Sequence, residues 1–322
     1  MKEKILLTGA SGFIGTNLLE DLLEKGYEVC NLDINTPKIE ERKAVWKKVD
    51  IRDYDTFEKN VLEFSPDYIV HLAARTDLDG KSVNDYDANI SGVENLMEIV
   101  DKLPCLKKII ITSSKFVTRN GYKVKDQFDY CPHTKYGESK VETEKKVWEN
   151  QPSCDWCIIR PTSIWGPWFG VPYRNFFDMV MRRMYFHIGH IKCHKTYGYI
   201  GNAVYQIEQL LFNTTPDKNN KVFYIGDEPA YEINEWADEI ANELGFKVPT
   251  MPVWIVKCLA KFGDFLGLFG IHFPMQSFRF GNMTNDGVND MTNTYKYAPE
   301  MPYTRIEGTK ATIVWIKECE RK

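Results

Sequence analysis

The segment YGESK places a phenol and an ammonium four residues apart, at Tyr136 and Lys140, and it is the only Y-x-x-x-K in the chain. On a helix this spacing stacks the two side chains on one face, one turn apart. A free phenol has a pKa of about 10, which is too high for an efficient base at neutral pH, and a neighbouring ammonium favours the phenolate. The segment therefore predicts either a proton-transferring pair or a solvated surface helix.

A glycine-rich turn, TGASGFIG, carries Gly9, Gly12 and Gly15 between an apolar run and a helical pattern. Glycine lets the backbone approach a pyrophosphate, and the helix N-terminus offers unpaired N–H groups. The acidic residue Asp33 ends the next apolar run, and no arginine follows it until Arg42. A carboxylate at that point accepts hydrogen bonds from the ribose hydroxyls of NAD and repels the 2′-phosphate of NADP. The turn therefore predicts an NAD site, with a purely structural glycine turn as the alternative.

Strand-like and helix-like segments alternate through the first half of the chain. The strand-like segments are KILLTG, YEVCNLD, PDYIVHLAA, LKKIIITSS and CDWCIIRPT, and the helix-like ones are FIGTNLLEDLLEKG, SGVENLMEIVDKL and YGESKVETEKKVWEN. This alternation predicts an α/β fold, a Rossmann-type doubly wound parallel sheet with both faces covered by helices. After Arg160 the pattern fades into the loop SIWGPWFGVPYRN. We therefore predict an NAD-binding domain of residues 1–165, joined by about 196–230, and a smaller mixed α/β substrate-binding lobe of residues 166–195 and 231–322.

Composition limits the possible partners. The chain has 322 residues with 41 Lys and Arg against 45 Asp and Glu, a formal charge of −4, and no long run of like charges, which disfavours nucleic acid as a partner. Eight scattered cysteines suit reduced thiols in a cytosol. Cys154 and Cys157 form a C-x-x-C without a second Cys or His pair, so we predict no metal site. The N-terminus shows no secretory signal, and we expect a cytoplasmic protein.

Residues 251–275 form a strongly apolar segment that Lys257, Lys261 and Asp264 interrupt near its middle. Each charge at a bilayer centre costs about 2.5–3.5 kcal/mol, which disfavours a membrane span. Two alternatives stay open at this point. The segment forms a helix that covers a substrate cleft, or a helix that lies on a membrane surface.

The spacing G-x-x-G-x-x-G together with Y-x-x-x-K resembles the extended short-chain dehydrogenase/reductases, specifically the NAD-dependent epimerase/dehydratase group. The segments VDIRD, HLAAR and RPTSIWGP match further motifs of that group, from residue 5 to about residue 230. The resemblance implies that His71 is a packed residue outside the catalytic set. It implies NAD contacts at Gly9, Ser11, Gly12, Phe13, Ile14, Gly15, Asp33, Asp50, Ile51, Leu72, Ala73, Ala74, Asn89, Thr112, Tyr136, Lys140, Pro161 and Ser163.

The resemblance also implies a catalytic set of Ser114, Tyr136 and Lys140. Ser114 is selected by counting back three residues from the valine of the group's S/T-x-x-V-Y-G pattern, and Ser113 is the neighbouring alternative. The chain departs from this pattern, since VTRN follows in place of V-Y-G. Lys115 and Phe116 occupy the positions where sugar 4,6-dehydratases carry an acidic pair. Because elimination of water needs its own acid and base, dehydration is disfavoured.

The resemblance implies a nucleotide-diphosphate sugar as substrate, contacted by Ser114, Asn175, Lys195 and Arg279. Our main hypothesis is an NAD-dependent nucleotide-sugar epimerase of polysaccharide biosynthesis, which acts by transient oxidation to a keto-sugar and hydride return. The alternatives are a keto-sugar reductase or sterol-type dehydrogenase of the same family, and a non-catalytic NAD-binding sensor. The resemblance further implies a homodimer formed through the helices SGVENLMEIVDKL and YGESKVETEKKVWEN.

Overall fold

A seven-stranded parallel sheet forms the centre of the chain, for which a computed structural model describes residues 2–215, 217, 220–271 and 273–321. The strands of the described residues are β1 (Lys4–Thr8), β2 (Glu28–Asp33), β3 (Trp46–Lys48), β4 (Tyr68–His71), β5 (Lys108–Thr112), β6 (Asp155–Pro161), β7 (Ser163–Trp165), β8 (His187–Ile188), β9 (His194–Lys195), β10 (Tyr197–Tyr199), β11 (Val222–Ile225), β12 (Tyr231–Glu232) and β13 (Thr250–Met251). The sheet order is β11-β6-β5-β4-β1-β2-β3, and every pairing within it is parallel. The predicted parallel sheet is confirmed.

Helices cover both faces of this sheet. The helices of the described residues are α1 (Phe13–Glu24), α2 (Tyr54–Phe64), α3 (Asp87–Val100), α4 (Lys135–Asn150), α5 (Arg174–Met181), α6 (Ile200–Phe212), α7 (Ile233–Glu243), α8 (Val253–Gly267), α9 (Ser277–Thr284), α10 (Thr292–Tyr295) and α11 (Arg305–Arg321). Buried residues of α1 and α6 join the core on one face, and those of α2 and α3 join the core on the other. The doubly wound arrangement predicted from the alternation is therefore confirmed.

Two hydrophobic cores explain why the central strands lack a polar alternation. In β1, Ile5 and Leu7 belong to one core and Leu6 to the other, and all three are fully buried. Successive residues of a strand point to opposite faces, so a strand covered on both sides must be apolar at every position. The run Ile109–Ile111 in β5 follows the same rule.

The chain reverses direction across the sheet between β1 and β4. From β1 it proceeds outward through β2 and β3, and it then returns to build β4, β5, β6 and β11 on the other side. The loops that follow β1 and β4 meet at the carboxyl edge, where the Leu72 N–H donates to the Thr8 carbonyl and the Gly9 N–H to the Leu32 carbonyl. Ligands of doubly wound sheets bind at such a reversal point.

Three two-stranded pairs and an aromatic cluster organise the remaining residues. The pairs are β7 with β10, β9 with β12 and β8 with β13. Trp236 of α7 lies at the centre of the cluster, with its ring centroid 4.8 Å from that of Trp165, 5.2 Å from Tyr231 and 5.5 Å from Phe177. These contacts fix α5 and α7 against the end of the sheet.

The apolar segment of residues 251–275 contains α8 and the connection toward α9, and its His272 lies outside the described residues. No helix within the described ranges is long and apolar enough to cross a membrane. Cys154 and Cys157 are free thiols, and burial raises the pKa of both. In the same ranges no group of His, Cys, Asp and Glu side chains could hold a metal ion.

Candidate active site

The glycine turn after β1 fits closely against the loop after β4. Gly9 has a φ of +75°, and a Cβ added there would lie 2.6 Å from the backbone N and Cα of Ala73. Gly12 precedes α1 with extended backbone and supplies no side-chain cap. The first N–H groups of a helix have no intrahelical partner, so this end of α1 is suited to bind a phosphate. The predicted pyrophosphate turn is present in the required strand–turn–helix context.

The Asp33 carboxylate is buried at the carboxyl end of β2, directly beside the glycine turn. One of its oxygens accepts a hydrogen bond from the Ser11 N–H at 3.0 Å, and the other accepts from the Asn35 N–H at 2.9 Å. These backbone donors hold the carboxylate in place. Each oxygen has a second lone pair, so the group can still accept from ribose hydroxyls.

Ser114 and Tyr136 meet where the turn after β5 contacts the first turn of α4. The Tyr136 hydroxyl lies close enough to Ser114 for that side chain to lower its pKa, and this effect opposes burial, which raises the pKa of the phenol well above its ordinary value. The contact depends on Gly137, because a Cβ there would lie 2.3 Å from the Phe116 carbonyl oxygen. The alternative serine, Ser113, instead donates to the buried Glu144 carboxylate at 2.5 Å. Of the two serines, Ser114 is the one that faces the phenol.

Lys140 lies one turn beyond Tyr136 and donates its ammonium to the Thr112 carbonyl at 2.9 Å. Burial lowers the pKa of Lys140 to about 8. The Y-x-x-x-K spacing predicts a phenol with a lowered pKa. In the folded chain burial instead raises the pKa of Tyr136 and lowers that of Lys140, because desolvation disfavours both the phenolate and the ammonium. The stacked pair is nevertheless in place on one helix face.

Two further polar side chains lie buried at the same sheet edge. The Thr112 hydroxyl has no hydrogen-bond partner among the described residues, although buried hydroxyls almost always have one. It lies beside the predicted nicotinamide contacts and fits a ligand hydroxyl. His71 interacts through Nδ1 with the Thr8 hydroxyl at 2.8 Å, and burial lowers its pKa to about 3. His71 is therefore a neutral, packed residue, as expected.

Asn89 is one of the predicted cofactor contacts, and its amide makes several hydrogen bonds within the protein. Its side chain is fully buried. Its Oδ1 accepts from the Arg75 N–H at 2.8 Å, and its Nδ2 donates to the Arg75 carbonyl and the Ser139 hydroxyl, each at 3.0 Å. The amide is thus occupied in joining the loop after β4 to α3 and α4. Its predicted contact with the cofactor stays a prediction.

Lys115 and Tyr173 also face the centre, and the sequence reasoning assigned neither of them to the site. The Lys115 ammonium donates to the Ser163 hydroxyl at 2.7 Å. Burial and the nearby charge of Lys195 lower the pKa of Lys115 to about 8. Tyr173 lies close enough to raise the pKa of Tyr136. The only sequence signal for Lys115 was its place directly after Ser114, and no sequence signal pointed to Tyr173.

The predicted substrate contacts are only partly brought together. Lys195 of β9 lies near Lys115, and its ammonium reaches the Asn282 carbonyl of α9. Arg279 is exposed on α9 and donates to the Pro274 carbonyl at 2.7 Å. Asn175 is half-buried in the first turn of α5. A small cleft opens beside Lys115, and its other lining residues include Thr118, Arg119, Asn120, Tyr122, Val288 and Asn289.

The remaining predicted cofactor residues lie along the same edge. The Asp50 carboxylate pairs with the Arg52 guanidinium at 2.6 Å, and Ile51 is buried against Gly92. The Ala73 N–H donates to the Thr8 hydroxyl at 3.3 Å. The other positions follow from the elements that contain them, namely Phe13, Ile14 and Gly15 in α1, Leu72 and Ala74 after β4, Pro161 at the end of β6, and Ser163 at the start of β7.

Comparison with known proteins identifies the family. The model of the NAD-dependent epimerase/dehydratase family matches residues 5–204. The chain belongs to this family. Its cofactor is NAD, and the close glycine turn, the Asp33 carboxylate and the unpartnered Thr112 hydroxyl fit that group.

Several curated relatives match nearly the whole chain. N-acetyl-alpha-D-glucosaminyl-diphospho-ditrans,octacis-undecaprenol 4-epimerase of Escherichia coli O157:H7 is 28% identical over 97% of this chain and 95% of that protein. UDP-glucose 4-epimerase of Vibrio cholerae is 28% identical over 98% of this chain and 91% of that protein. A solved UDP-glucose 4-epimerase of Thermotoga maritima, crystallised with UDP-glucose, superposes with a TM-score of 0.73 at 22% identity, covering 98% of this chain and 99% of that one.

Proposed function

We propose that this family member is an NAD-dependent epimerase that inverts a carbon of a sugar linked to a diphosphate, with a nucleotide-diphosphate sugar as substrate. The observation that carries this proposal is the placement of Ser114 beside Tyr136 with Lys140 one turn away, next to a glycine turn that fits NAD. The positions where a dehydratase needs acids hold Lys115 and Phe116. The site is therefore suited to oxidation and reduction without loss of water.

Each side chain of the catalytic set has a defined part in this proposal. Tyr136 accepts the proton of the sugar hydroxyl and returns it after inversion, while Ser114 holds the same oxygen as it changes between alcohol and ketone. The Lys140 ammonium stabilises the phenolate and holds ribose hydroxyls. Bound NAD supplies the acceptor for the hydride and the source of its return. The pKa of Tyr136, which burial raises, suits return of the proton. A protonated Lys140 would favour removal of the proton, because an opposite charge stabilises the phenolate.

The diphosphate of the substrate needs cationic partners. Lys195 and Lys115 lie close together beside the cleft, and burial lowers the pKa of each. A substrate diphosphate between them would restore the charged form of both lysines, because opposite charge raises the pKa of an ammonium. We therefore place the diphosphate near this pair. Asn175 and Arg279 stay as predicted substrate contacts.

A lipid-linked sugar is a second candidate substrate. The Escherichia coli relative is named for a sugar attached through a diphosphate to undecaprenol, and it matches almost the full length of the chain. Large apolar side chains exposed on α8, such as Trp254 and Phe265, favour this candidate. A sterol-type dehydrogenase has weaker support, since the 3-beta-hydroxysteroid dehydrogenase of Mycolicibacterium neoaurum is 26% identical over 78% of this chain.

The reaction type can be tested in deuterium oxide. We expect incubation with UDP-sugars, or with undecaprenyl-diphospho-sugars, to produce the epimer without deuterium at the inverted carbon, because the returning hydrogen comes from the cofactor. Tyr136→Phe should bind NAD normally and lose turnover by at least about 10²-fold. Stoichiometric accumulation of NADH would instead indicate a dehydrogenase. Deuterium at the inverted carbon would indicate proton abstraction next to a carbonyl.

The setting of the reaction follows from its substrates. Epimerised diphosphate-linked sugars are donors for polysaccharide synthesis, and we propose that the protein supplies such a donor in the cytoplasm. The Asp33 carboxylate supports NAD over NADP, because it would repel a 2′-phosphate. We also propose a homodimer through α3 and α4.

A further inference from the structure

Helix α8 presents its large apolar side chains outward. Its buried residues are small or medium in size, namely Val256, Ala260 and Gly263. The outer side chains follow helical spacing along one face, and those of Trp254, Phe262 and Phe265 are 68%, 51% and 54% exposed. A surface helix of a globular domain normally buries its large apolar residues and exposes polar ones. On α8 the large apolar residues are exposed and the small ones are buried.

The exposed surface continues beyond α8. Leu268 and Phe269 follow directly after the helix, and Phe278 lies in the first turn of α9, with 82%, 67% and 77% of their side chains exposed. We call the set Trp254, Phe262, Phe265, Leu268, Phe269 and Phe278 the apolar face. So many large apolar side chains in one short region are unusual for a monomeric protein surface.

Positive charges lie on the same side of α8 as the apolar face. Along residues 253–284 the fully charged side chains are Lys257, Lys261, Arg279 and Asp264, which gives 3 − 1 = +2, whereas the whole chain carries −4. The Asp264 carboxylate is engaged at the start of α9, where it accepts from the Ser277 N–H at 3.0 Å. Both lysines are exposed on α8, within about 60° of Trp254 at 100° per residue. Aromatic residues bordered by lysines are typical of helices that lie at a membrane interface.

The apolar face is connected to the cleft of the candidate active site. The Lys195 ammonium donates a hydrogen bond to the Asn282 carbonyl of helix α9. The chain then runs from α9 along β9, where the Thr196 N–H donates to the Gly287 carbonyl at 3.1 Å. Gly287 is among the residues that line the cleft beside Lys115. A substrate with its diphosphate at the two lysines thus has the α8–α9 unit beside it.

We propose that the apolar face docks on the surface of a phospholipid bilayer with anionic headgroups, with the aromatic side chains in the interface and the flanking cations at the phosphates. The charge of the face is complementary to such a surface and opposite in sign to that of the chain as a whole. Docking would hold the cleft at the membrane, where a sugar diphosphate carried by a long-chain lipid alcohol is presented. This inference goes beyond the proposed epimerase activity. The docking itself rests on the surface, and the presentation of a lipid-linked substrate rests on the proposed function.

Vesicle binding by the full chain tests the proposal. We expect cosedimentation with vesicles of phosphatidylcholine mixed with an equal amount of phosphatidylglycerol, and weaker binding to phosphatidylcholine alone. The triple variant Trp254→Ser, Phe265→Ser, Leu268→Ser should reduce binding about tenfold or more, since each loses apolar area to the bilayer. The matched control Val171→Ser, Ile306→Ser, Val314→Ser changes three apolar side chains that are also exposed, and it should bind as the unaltered protein does.

A probe on the exposed Cys258 of α8 gives a local measurement. A polarity-sensitive fluorophore attached there, with Cys105→Ser and Cys319→Ser, should shift to the blue on addition of vesicles. The same fluorophore on Cys319, with Cys105→Ser and Cys258→Ser, should not shift. No cosedimentation with either vesicle, equal binding by the triple variant, or a blue shift caused by self-association without lipid would each overturn the proposal. Because no substrate is present, these results are independent of the epimerase assay.

Discussion

At the residue scale, two adjacent serines have separable tasks. Ser114 lies close enough to Tyr136 to lower the pKa of the phenol, whereas Ser113 donates to Glu144 in the core. Ser114→Ala should lower kcat about 10²-fold, as loss of a donor to a reacting oxygen commonly does. It should also move the acid limb of the pH–rate profile upward, because the Ser114 side chain lowers the pKa of Tyr136.

The control for this prediction is Ser113→Ala. It removes a buried hydrogen bond and should lower the free energy of unfolding by about 1–2 kcal/mol while kcat and the pH profile stay unchanged. Steady-state kinetics and urea unfolding of both variants provide the measurements. An unshifted pH profile for Ser114→Ala would show that its hydroxyl does not act on the phenol.

Replacing Lys115 should raise the stability of the protein and lower its activity. Its folded-state pKa is about 8 against an ordinary value of 10.5, so the protonated form is disfavoured in the fold. Between these two pH values the unfolded chain binds more protons than the folded one, and stability therefore rises with pH. Replacement by methionine removes the buried charge and should raise the Tm at pH 7, with a gain that shrinks as pH rises through this window.

The same Lys115→Met variant should lower kcat/KM about tenfold to a hundredfold, because it removes a charged hydrogen-bond donor from the substrate diphosphate. Lys145→Met is the control, since Lys145 is exposed and pairs only with Glu142 at the surface. Thermal scans from pH 7 to pH 10 and steady-state kinetics provide the measurements. An unchanged kcat/KM together with a raised Tm would confine Lys115 to a structural role.

At the element scale, the glycine turn offers a comparison of two positions with one backbone conformation. Gly9 and Gly245 both have a φ of +75°, but a Cβ at Gly245 meets nothing within 4 Å, whereas one at Gly9 would lie 2.6 Å from Ala73. Both alanine variants should lose about 1–2 kcal/mol of stability from the left-handed backbone. Gly9→Ala should lose more and should also weaken NAD binding, which Gly245→Ala should leave unchanged. Urea unfolding and NAD titration distinguish these outcomes, and equal NAD affinities would contradict the proposed pyrophosphate turn.

Elements of the sheet were predictable because their sequence signals are local. An apolar run such as KIIIT reports that both faces of β5 are covered, and the helix from Lys135 follows a threonine N-cap whose side chain accepts from the Gly137 N–H. The orientation of α8 was not predictable. A helix that is apolar on most sides does not indicate which side is packed, so the sequence could not predict that the buried side consists of small residues.

At the scale of the whole molecule, sequence reasoning missed Lys115 because its neighbours in the site meet it only through the fold. Lys115 and Lys195 are separated by 80 positions, and only the path of β9 past the cleft brings their charges together. The role of Asn89 depended on Arg75 and Ser139, which belong to two other segments. The motif alone could not distinguish a cofactor contact from a structural amide at that position.

The assembly of the whole molecule depends on the outer surfaces of α3 and α4. An ion pair joins Lys146 to Glu94 at 2.8 Å, and neither helix has a large apolar side chain among the exposed ones of the described residues. Apart from the buried Lys140 and Glu144, the two helices carry three bases, Lys135, Lys145 and Lys146, against six acids, Asp87, Glu94, Glu98, Glu138, Glu142 and Glu149, a balance of −3. A two-fold interface places each surface against its own copy, so these charges repel across it.

We therefore expect a homodimer through α3 and α4 to strengthen as salt screens this repulsion. Sedimentation velocity at micromolar protein should show more dimer in about 500 mM than in about 50 mM NaCl, since the Debye length shortens over this range. Glu98→Lys lowers the negative charge of the face and should increase the dimer fraction at low salt, whereas Glu300→Lys, outside both helices, should not. A monomer at every salt concentration would contradict the dimer, and a dimer weakened by salt would place the contact on a different surface. The second outcome would leave the active site unaffected, because Ser114, Tyr136 and Lys140 all lie within one chain.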